Sequence, residues 1–290
     1  MTARLLDGKA LAARMVEALY PRVKAFRQAR GRAPLLAIVS AGEDAAASAY
    51  LKAKLAAAAQ AGIDTTVLAP VPAGASGVLN RVASLAQDPK VDAIVVASPL
   101  PTGLSDPALR EALPPEKDAE GLSPFHSGRL FLARSFEAAR AEGLILPCAA
   151  AGAVLLALEA GRAFAGQRAV VIGRSNILGK PAAQMLLGLD ATVTVCHSKT
   201  VGLPSIIREA DLVLACLGRP RFIKGDWIKP GAVVIDAGIN SEGGRLCGDV
   251  DLEGAARSAA FLSPVPGGVG PVTTAVLLSN ALTLAERRAP

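Results

Sequence analysis

The sequence predicts an α/β protein of two domains, each built on a parallel sheet. At 290 residues the chain is long enough for two ordinary cores. Short apolar runs alternate with helical patterns in both halves. Between 102 and 150 prolines and polar residues thicken and separate the two alternating series. Hydrophobic residues make up 51% of the chain and charged ones 19%, a globular balance, and a 3% aromatic share makes the cores aliphatic.

In the first series, residues 9–30 read as an amphipathic helix and LLAIVSAG (35–42) as a buried strand. A helix follows at 45–62 and ends at Gly62. TTVLAPV (65–71) is the next strand, a helix near 76–88 comes after it, and DAIVVASPLP (92–101) is a continuous apolar strand running into a proline-rich loop. Strands joined through helices pair in parallel, because the crossover returns the chain to the same end of the sheet. The segment EKDAEGLSPFHSGRL then reads as irregular structure with short helices.

The second series begins with a helix near 150–161 and the strand AVVIG (169–173), followed by a helix from 179 and the strand ATVTVCHS (191–198). A short helix near 203–209 precedes the strands DLVLACLG (211–218) and AVVIDAGI (232–239). After the glycine- and proline-dense SPVPGGVGP (263–271), residues 270–288 read as a helix expected to pack back on the N-terminal domain. The expected boundaries are 1–145 with 272–290 for the first domain and 146–271 for the second.

Several function classes fall away on composition. No apolar run reaches the roughly 20 residues of a membrane span, and MTARLLDGKALAARM lacks the layout of a secretion signal, so a cytoplasmic protein without a membrane partner is expected. Four cysteines occur without a CxxC pair and two histidines without zinc spacing, so reduced structural thiols and no metal are expected. The +6 charge is scattered and forms no basic stripe interleaved with aromatics, which argues against nucleic acid and for a small anionic ligand.

A buried strand ending in glycine, then GRSNILG (173–179), then a helix is the layout of a phosphate-binding turn, and it makes the second domain a Rossmann unit. Gly173 and Gly179 give the backbone room, although the strict GxGxxG spacing is absent. An NAD site places a carboxylate about 20 residues on, at the tip of the next strand. Here that tip reads TVTVCHSKT, and Ser198 and Lys199 stand where a carboxylate would repel a 2′-phosphate. The Arg174 guanidinium can pair with phosphate oxygens, so NADP is the expected cofactor, favoured by ~1.5–3 kcal/mol per charged hydrogen bond.

On the helix at 45–62, Tyr50 and Lys54 are four residues apart and share one face. A helical lysine is ordinarily a solvated charge, and it works as a base only where burial or a nearby cation lowers its pKa.

LLDGKALA (5–12), SAYLKAK (48–54), SPLPTGL (98–104), EKDAEG (116–121), GRSNILGKP (173–181), TVTVCHSKT (192–200), GAVVIDAGIN (231–240), GDVD (248–251) and SPVPGGVGPVTTA (263–275) together resemble the bifunctional methylenetetrahydrofolate dehydrogenase/cyclohydrolase family across nearly the whole chain. The resemblance implies NADP-dependent oxidation of 5,10-methylenetetrahydrofolate to the methenyl form and hydrolysis of that form to 10-formyltetrahydrofolate. It implies that Lys54 handles water and proton in hydrolysis, and that Tyr50 stacks on the folate and holds the lysine. By the same resemblance Pro99, Leu100, Glu120, Pro266, Gly267 and Gly268 line the folate site, while Gly173, Arg174, Ser175, Ser198, Ile239 and Thr273 bind NADP. A homodimer is implied as well.

Three departures from the family pattern bear on activity. Where the family strand ends VQLPLP, this chain reads VASPLP, so Ala97 replaces a glutamine that positions the lysine. Glu120 stands where the family has an aspartate that anchors the pterin, and PCAAAG (147–152) replaces PCTPxG. Two alternatives therefore stand beside the bifunctional enzyme: a dehydrogenase with weakened or lost cyclohydrolase activity, and a non-catalytic NADP-binding subunit.

Overall fold

Each alternating series becomes one parallel sheet in a computed structural model, which describes residues 2–40, 45–68, 74–97, 100–101 and 103–288, with the side chains of 45–50 and 106 outside the description. In chain order the elements are β1 (Arg4–Leu5), α1 (Gly8–Glu17), α2 (Tyr20–Arg30), β2 (Leu35–Ser40), α3 (Ala45–Ala61), β3 (Asp64–Leu68), α4 (Gly74–Gln87), β4 (Ala93–Ala97), α5 (Asp106–Ala112), α6 (Pro124–Leu132), α7 (Phe136–Ala141) and α8 (Cys148–Leu158). Then come β5 (Arg168–Ile172), α9 (Gly179–Leu187), β6 (Thr192–Cys196), α10 (Leu203–Arg208), β7 (Leu212–Ala215), β8 (Val233–Asp236), β9 (Asn240–Glu242), β10 (Arg245–Cys247), α11 (Leu252–Ala256), β11 (Phe261–Leu262) and α12 (Val269–Arg287). Two compact units result, Arg14–Gly128 with Thr274–Pro290 and Met1–Ala13 with Arg129–Thr273.

The first unit holds a parallel three-stranded sheet in the order β3-β2-β4, with Ala37 opposite both Thr66 and Ile94. Parallel strands covered by helices read as unbroken apolar runs, which is why AIVVA and LLAIVS lack alternation. Ala37, Val39, Ile94 and Val96 pack with Val78 and Val82 of α4 and with Leu109 and Leu113. Asp92, 2% exposed, accepts both terminal nitrogens of Arg32 at 2.6 and 2.8 Å and the Leu35 N–H at 2.8 Å, tying the starts of β4 and β2 together. The expected helix at 9–30 is two helices, because Pro21 lacks the N–H needed to continue one and its ring displaces the preceding turn. The C-terminal helix belongs to this unit from Thr274 onward: Arg22 bridges to Glu286 and Thr283, and the Asn280 amide donates to the Ala119 carbonyl at 2.9 Å.

The second unit carries a six-stranded parallel sheet in the order β1-β11-β8-β7-β5-β6. Its core gathers Val170, Ile172, Val213, Val234 and Leu262 with Ile207 and Ala255. β1 and β11, two residues each, and the β9–β10 hairpin around Gly243 and Gly244 are elements the sequence pattern does not reveal. Two residues cannot display a period, and their pairing comes from segments at opposite ends of the chain. No helix among the described residues is long and apolar enough to cross a membrane.

Candidate functional site

The turn after β5 is shaped by two glycines. Gly173 has φ +134°, and a Cβ there would strike the Cys216 carbonyl at the end of β7. A Cβ on Gly179 would strike the Gly173 carbonyl, so α9 starts against the strand tip only because neither residue has a side chain. The Ser175 hydroxyl accepts the Leu178 and Gly179 N–H groups at 3.2 and 3.4 Å and so ties the turn to the start of α9, while Arg174 is exposed. β5 lies between β6 and β7, so this turn sits where strand order reverses, the place at which parallel sheets open a ligand crevice.

Register brings the second half of the cofactor prediction to the same edge. Ile172 pairs with Cys196, so Arg174 and Ser198 each lie two residues beyond the same rung of neighbouring strands. Ser198 and Lys199 are exposed, and the loop beneath them is fixed by His197 N–H on Thr200 Oγ1 at 2.9 Å. No carboxylate occupies the tip of β6. A glycine-shaped turn with an exposed guanidinium and hydroxyl at the same sheet edge fits a phosphorylated dinucleotide.

Two buried aspartates hold the loops that follow β7 and β8. Asp249, fully buried, accepts the N–H groups of Leu217, Gly218 and Arg219 at 2.5, 3.1 and 2.8 Å, together with the Asn240 amide at 2.9 Å. Asp236, at the end of β8, accepts the N–H groups of Gly238, Asp249 and Val250 at 2.9, 3.0 and 2.9 Å. Burial pushes the Asp236 carboxyl up to about 6, partly opposed by those three donors. Burial likewise pushes the Cys216 thiol up to about 12, with the Asp249 charge adding to it, so the thiol beside Gly173 stays protonated. Gly238 and Gly248 are required because a Cβ on either would collide with the facing carboxylate. Ile239, 65% exposed, follows directly on this network.

Loop 263–268 is anchored at its start by the Asp236 N–H on Ser263 Oγ at 2.7 Å. Gly267 has φ +101°, Pro266 is exposed, and Gly268 is buried against Gly8, whose own Cβ would strike the Gly268 carbonyl. The Asp7 side chain caps α1 through the Lys9 and Ala10 N–H groups at 2.9 and 3.0 Å, so LLDGKALA is the surface on which the glycine loop closes. Thr273 donates to the Val269 carbonyl at 3.1 Å, and its backbone lies over Gly152, the last residue of PCAAAG.

In the other unit Lys54 lies half-buried on α3, one turn after Tyr50, whose side chain is outside the description. Ala97 ends β4, half-buried opposite Ser40; Leu100 is half-buried too, and Pro99 lies outside the described residues. The EKDAEG stretch is mostly scaffolding. Lys117, 2% exposed, donates to the carbonyls of Leu85 and Asp88 at 2.9 and 2.7 Å and so caps α4, with burial pushing its pKa down. Asp118 accepts the N–H groups of Glu120, Gly121 and Ser123. Glu120 is left facing partly outward, paired with Arg110 at 2.9 Å.

Sequence reasoning missed Arg110, Asp118 and the supporting roles of Asp236 and Asp249. Asp236 carries a usable signal, since an aspartate closing the buried apolar strand β8 needs donors from somewhere. Among the described residues no three His, Cys, Asp or Glu side chains converge as metal ligands would.

The model of the tetrahydrofolate dehydrogenase/cyclohydrolase catalytic domain matches residues 6–120, and that of the family's NAD(P)-binding domain matches 147–289. A bifunctional protein FolD from Halalkalibacterium halodurans is 42% identical over 99% of this chain and 100% of its own. Another from Erythrobacter litoralis is 43% identical over 99% and 96%. Among solved structures, the bifunctional FolD enzyme of Campylobacter jejuni superimposes with a TM-score of 0.90 at 35% identity, covering 99% of each chain. The Trypanosoma brucei dehydrogenase-cyclohydrolase, solved with NADP cofactor and an inhibitor, gives 0.91 at 34% identity over 99% and 98%.

Proposed function

The chain belongs to the tetrahydrofolate dehydrogenase/cyclohydrolase family, and from that premise we infer that it catalyses two successive reactions on folate-bound carbon. The first is NADP-dependent oxidation of 5,10-methylenetetrahydrofolate to 5,10-methenyltetrahydrofolate. The second is hydrolysis of that cation to 10-formyltetrahydrofolate. The single observation that carries the reading is the turn after β5, with its paired glycines and an exposed guanidinium and hydroxyl two residues beyond one rung.

Bound NADP supplies the hydride acceptor. Arg174 and Ser198 are assigned to its 2′-phosphate, Gly173 and Ser175 to close backbone and hydroxyl contact at the turn, and Ile239 and Thr273 to the remainder of the dinucleotide. On the folate side, Glu120 is assigned to the pterin ring, and Pro99, Leu100, Pro266, Gly267 and Gly268 are likewise assigned to the substrate. Tyr50 is assigned to stack on the folate and Lys54 to move the proton of the attacking water. Ala97 offers the lysine no hydrogen bond, which favours hydrolysis as the slower half. We also propose a cytoplasmic homodimer, as the family resemblance implies; light scattering on the purified protein checks its mass.

The test is to incubate the protein with methylenetetrahydrofolate and NADP, or NAD, and to follow NADPH, methenyl absorbance and formyl product separately. Both products should form with NADP. Methenyl accumulating without formyl product above the spontaneous rate would remove the second activity, and no NADPH would leave a non-catalytic NADP-binding protein.

A further inference from the structure

Glu120 is one methylene longer than the aspartate of the family pattern, and its surroundings hold a partner for that extra reach. Arg110 lies on α5, which is capped at its start by the Ser105 hydroxyl on the Ala108 N–H at 3.4 Å and flanks the arginine with the core residues Leu109 and Leu113. The arginine side chain is only 9% exposed, and its Nη1 donates to Glu120 Oε2 at 2.9 Å. A guanidinium stays charged in a protein, and burying one is costly unless a carboxylate meets it. The glutamate side chain remains 24% exposed, and its other oxygen, Oε1, has no hydrogen bond among the described residues.

The backbone under Glu120 is held on both sides. Asp118 Oδ1 accepts its N–H at 3.2 Å and that of Gly121 at 3.1 Å. The Ala119 N–H donates to the Ile94 carbonyl at 3.1 Å, and the Ala119 carbonyl accepts from Asn280. What remains free to vary is the glutamate's own torsions, of which it has one more than aspartate. An arginine clamped on one oxygen removes that freedom before a ligand arrives, leaving the other oxygen presented.

We propose that Arg110 is the positioning residue for the folate-binding carboxylate: it holds Glu120 by one oxygen so that the other meets the pterin. The proposal rests on the assignment of Glu120 to the folate made above. Steady-state kinetics of Arg110→Leu, Arg110→Lys and Glu120→Gln test it, with KM measured separately for methylenetetrahydrofolate and NADP and Tm measured alongside. Arg110→Leu should raise the folate KM about tenfold, the size of one charge-assisted hydrogen bond, with the NADP KM within about twofold and Arg110→Lys falling between. Combining Arg110→Leu with Glu120→Gln should be no worse than Glu120→Gln alone, as expected if the arginine acts only through the glutamate. If Arg110→Leu does not fold, Arg110→Lys and the split between the two KM values carry the test. A folate KM raised by Glu120→Gln but unmoved by either arginine variant overturns the proposal and leaves the Glu120 assignment standing. A folate KM unmoved by Glu120→Gln overturns both.

Discussion

The two parallel sheets follow one plan, yet their strand tips are furnished differently. In the nucleotide unit the tips of β5, β7 and β8 carry glycines and buried aspartates, and the backbone there is held by N–H groups that donate to those carboxylates. In the folate unit the residues proposed above for the site are long side chains, Lys54 on α3 and Glu120 paired with Arg110, and β4 ends in a plain alanine. A surface of backbone tolerates almost no substitution because its shape is the fold. A surface of side chains can be retuned one residue at a time, and the three departures from the family pattern, Ala97, Glu120 and PCAAAG, all lie outside the strand-tip network of the nucleotide unit.

Four measurements sharpen or break that contrast. The largest effect is expected on the side-chain surface: Lys54→Met should slow formation of 10-formyltetrahydrofolate by about 10²–10⁴-fold, the usual worth of a positioned proton-transfer group, while melting within a few degrees of the parent. Melting far below the parent would make Lys54 a structural residue. On the backbone surface Gly173→Ala should behave in the opposite way, losing about 3 kcal/mol of stability along with NADP binding, because a Cβ meets the Cys216 carbonyl and φ +134° strains any side chain. Calorimetry and NADP titration of that variant read both losses, and a stable variant that binds NADP refutes the cradle.

The aspartate network predicts a pH signature of the nucleotide unit. A carboxyl whose pKa is raised to about 6 by folding, from 3.8, favours the fold while protonated. Its contribution is therefore full below about pH 4 and is lost as pH rises through about 6, a change of about 3 kcal/mol. Thermal melts from pH 4 to pH 7 should show the parent losing ground to Asp236→Asn over that window, and a constant gap would show that Asp236 titrates as an ordinary carboxylate. Smallest of the four, Arg174→Ala should raise the KM for NADP about tenfold to a hundredfold and leave that for NAD nearly unchanged. Equal effects on the two cofactors would remove Arg174 from the phosphate.

How much could be read in advance depended, in both units, on whether a feature is contiguous in the chain. Long apolar strands and the helices between them were legible, because continuous runs such as AIVVA and VVID have few other uses. The glycine turn was legible as well, since its strand, turn and helix are contiguous. Illegible features depend on contacts between distant segments: Gly8 against Gly268, Asp236 with Asp249 and Ser263, Arg110 with Glu120. Arg110 in particular sits on a short helix with nothing in its immediate sequence to distinguish it from a surface arginine. Pro21 was a legible breaker within 9–30 that the amphipathic period concealed.

One such distant pairing also constrains how the molecule comes into being. β1, translated long before its neighbour, completes the nucleotide sheet only by lying beside β11, which itself pairs with β8. A ribosome needs on the order of tens of seconds to travel from one to the other. During that interval β1 has no neighbour to pair with, whereas the β8 margin, made only shortly before β11, stands open briefly. Synthesis of this protein thus leaves Arg4–Leu5 waiting for the late arrival of Phe261–Leu262, and a stop that falls between β8 and that dipeptide leaves the β8 margin permanently bare.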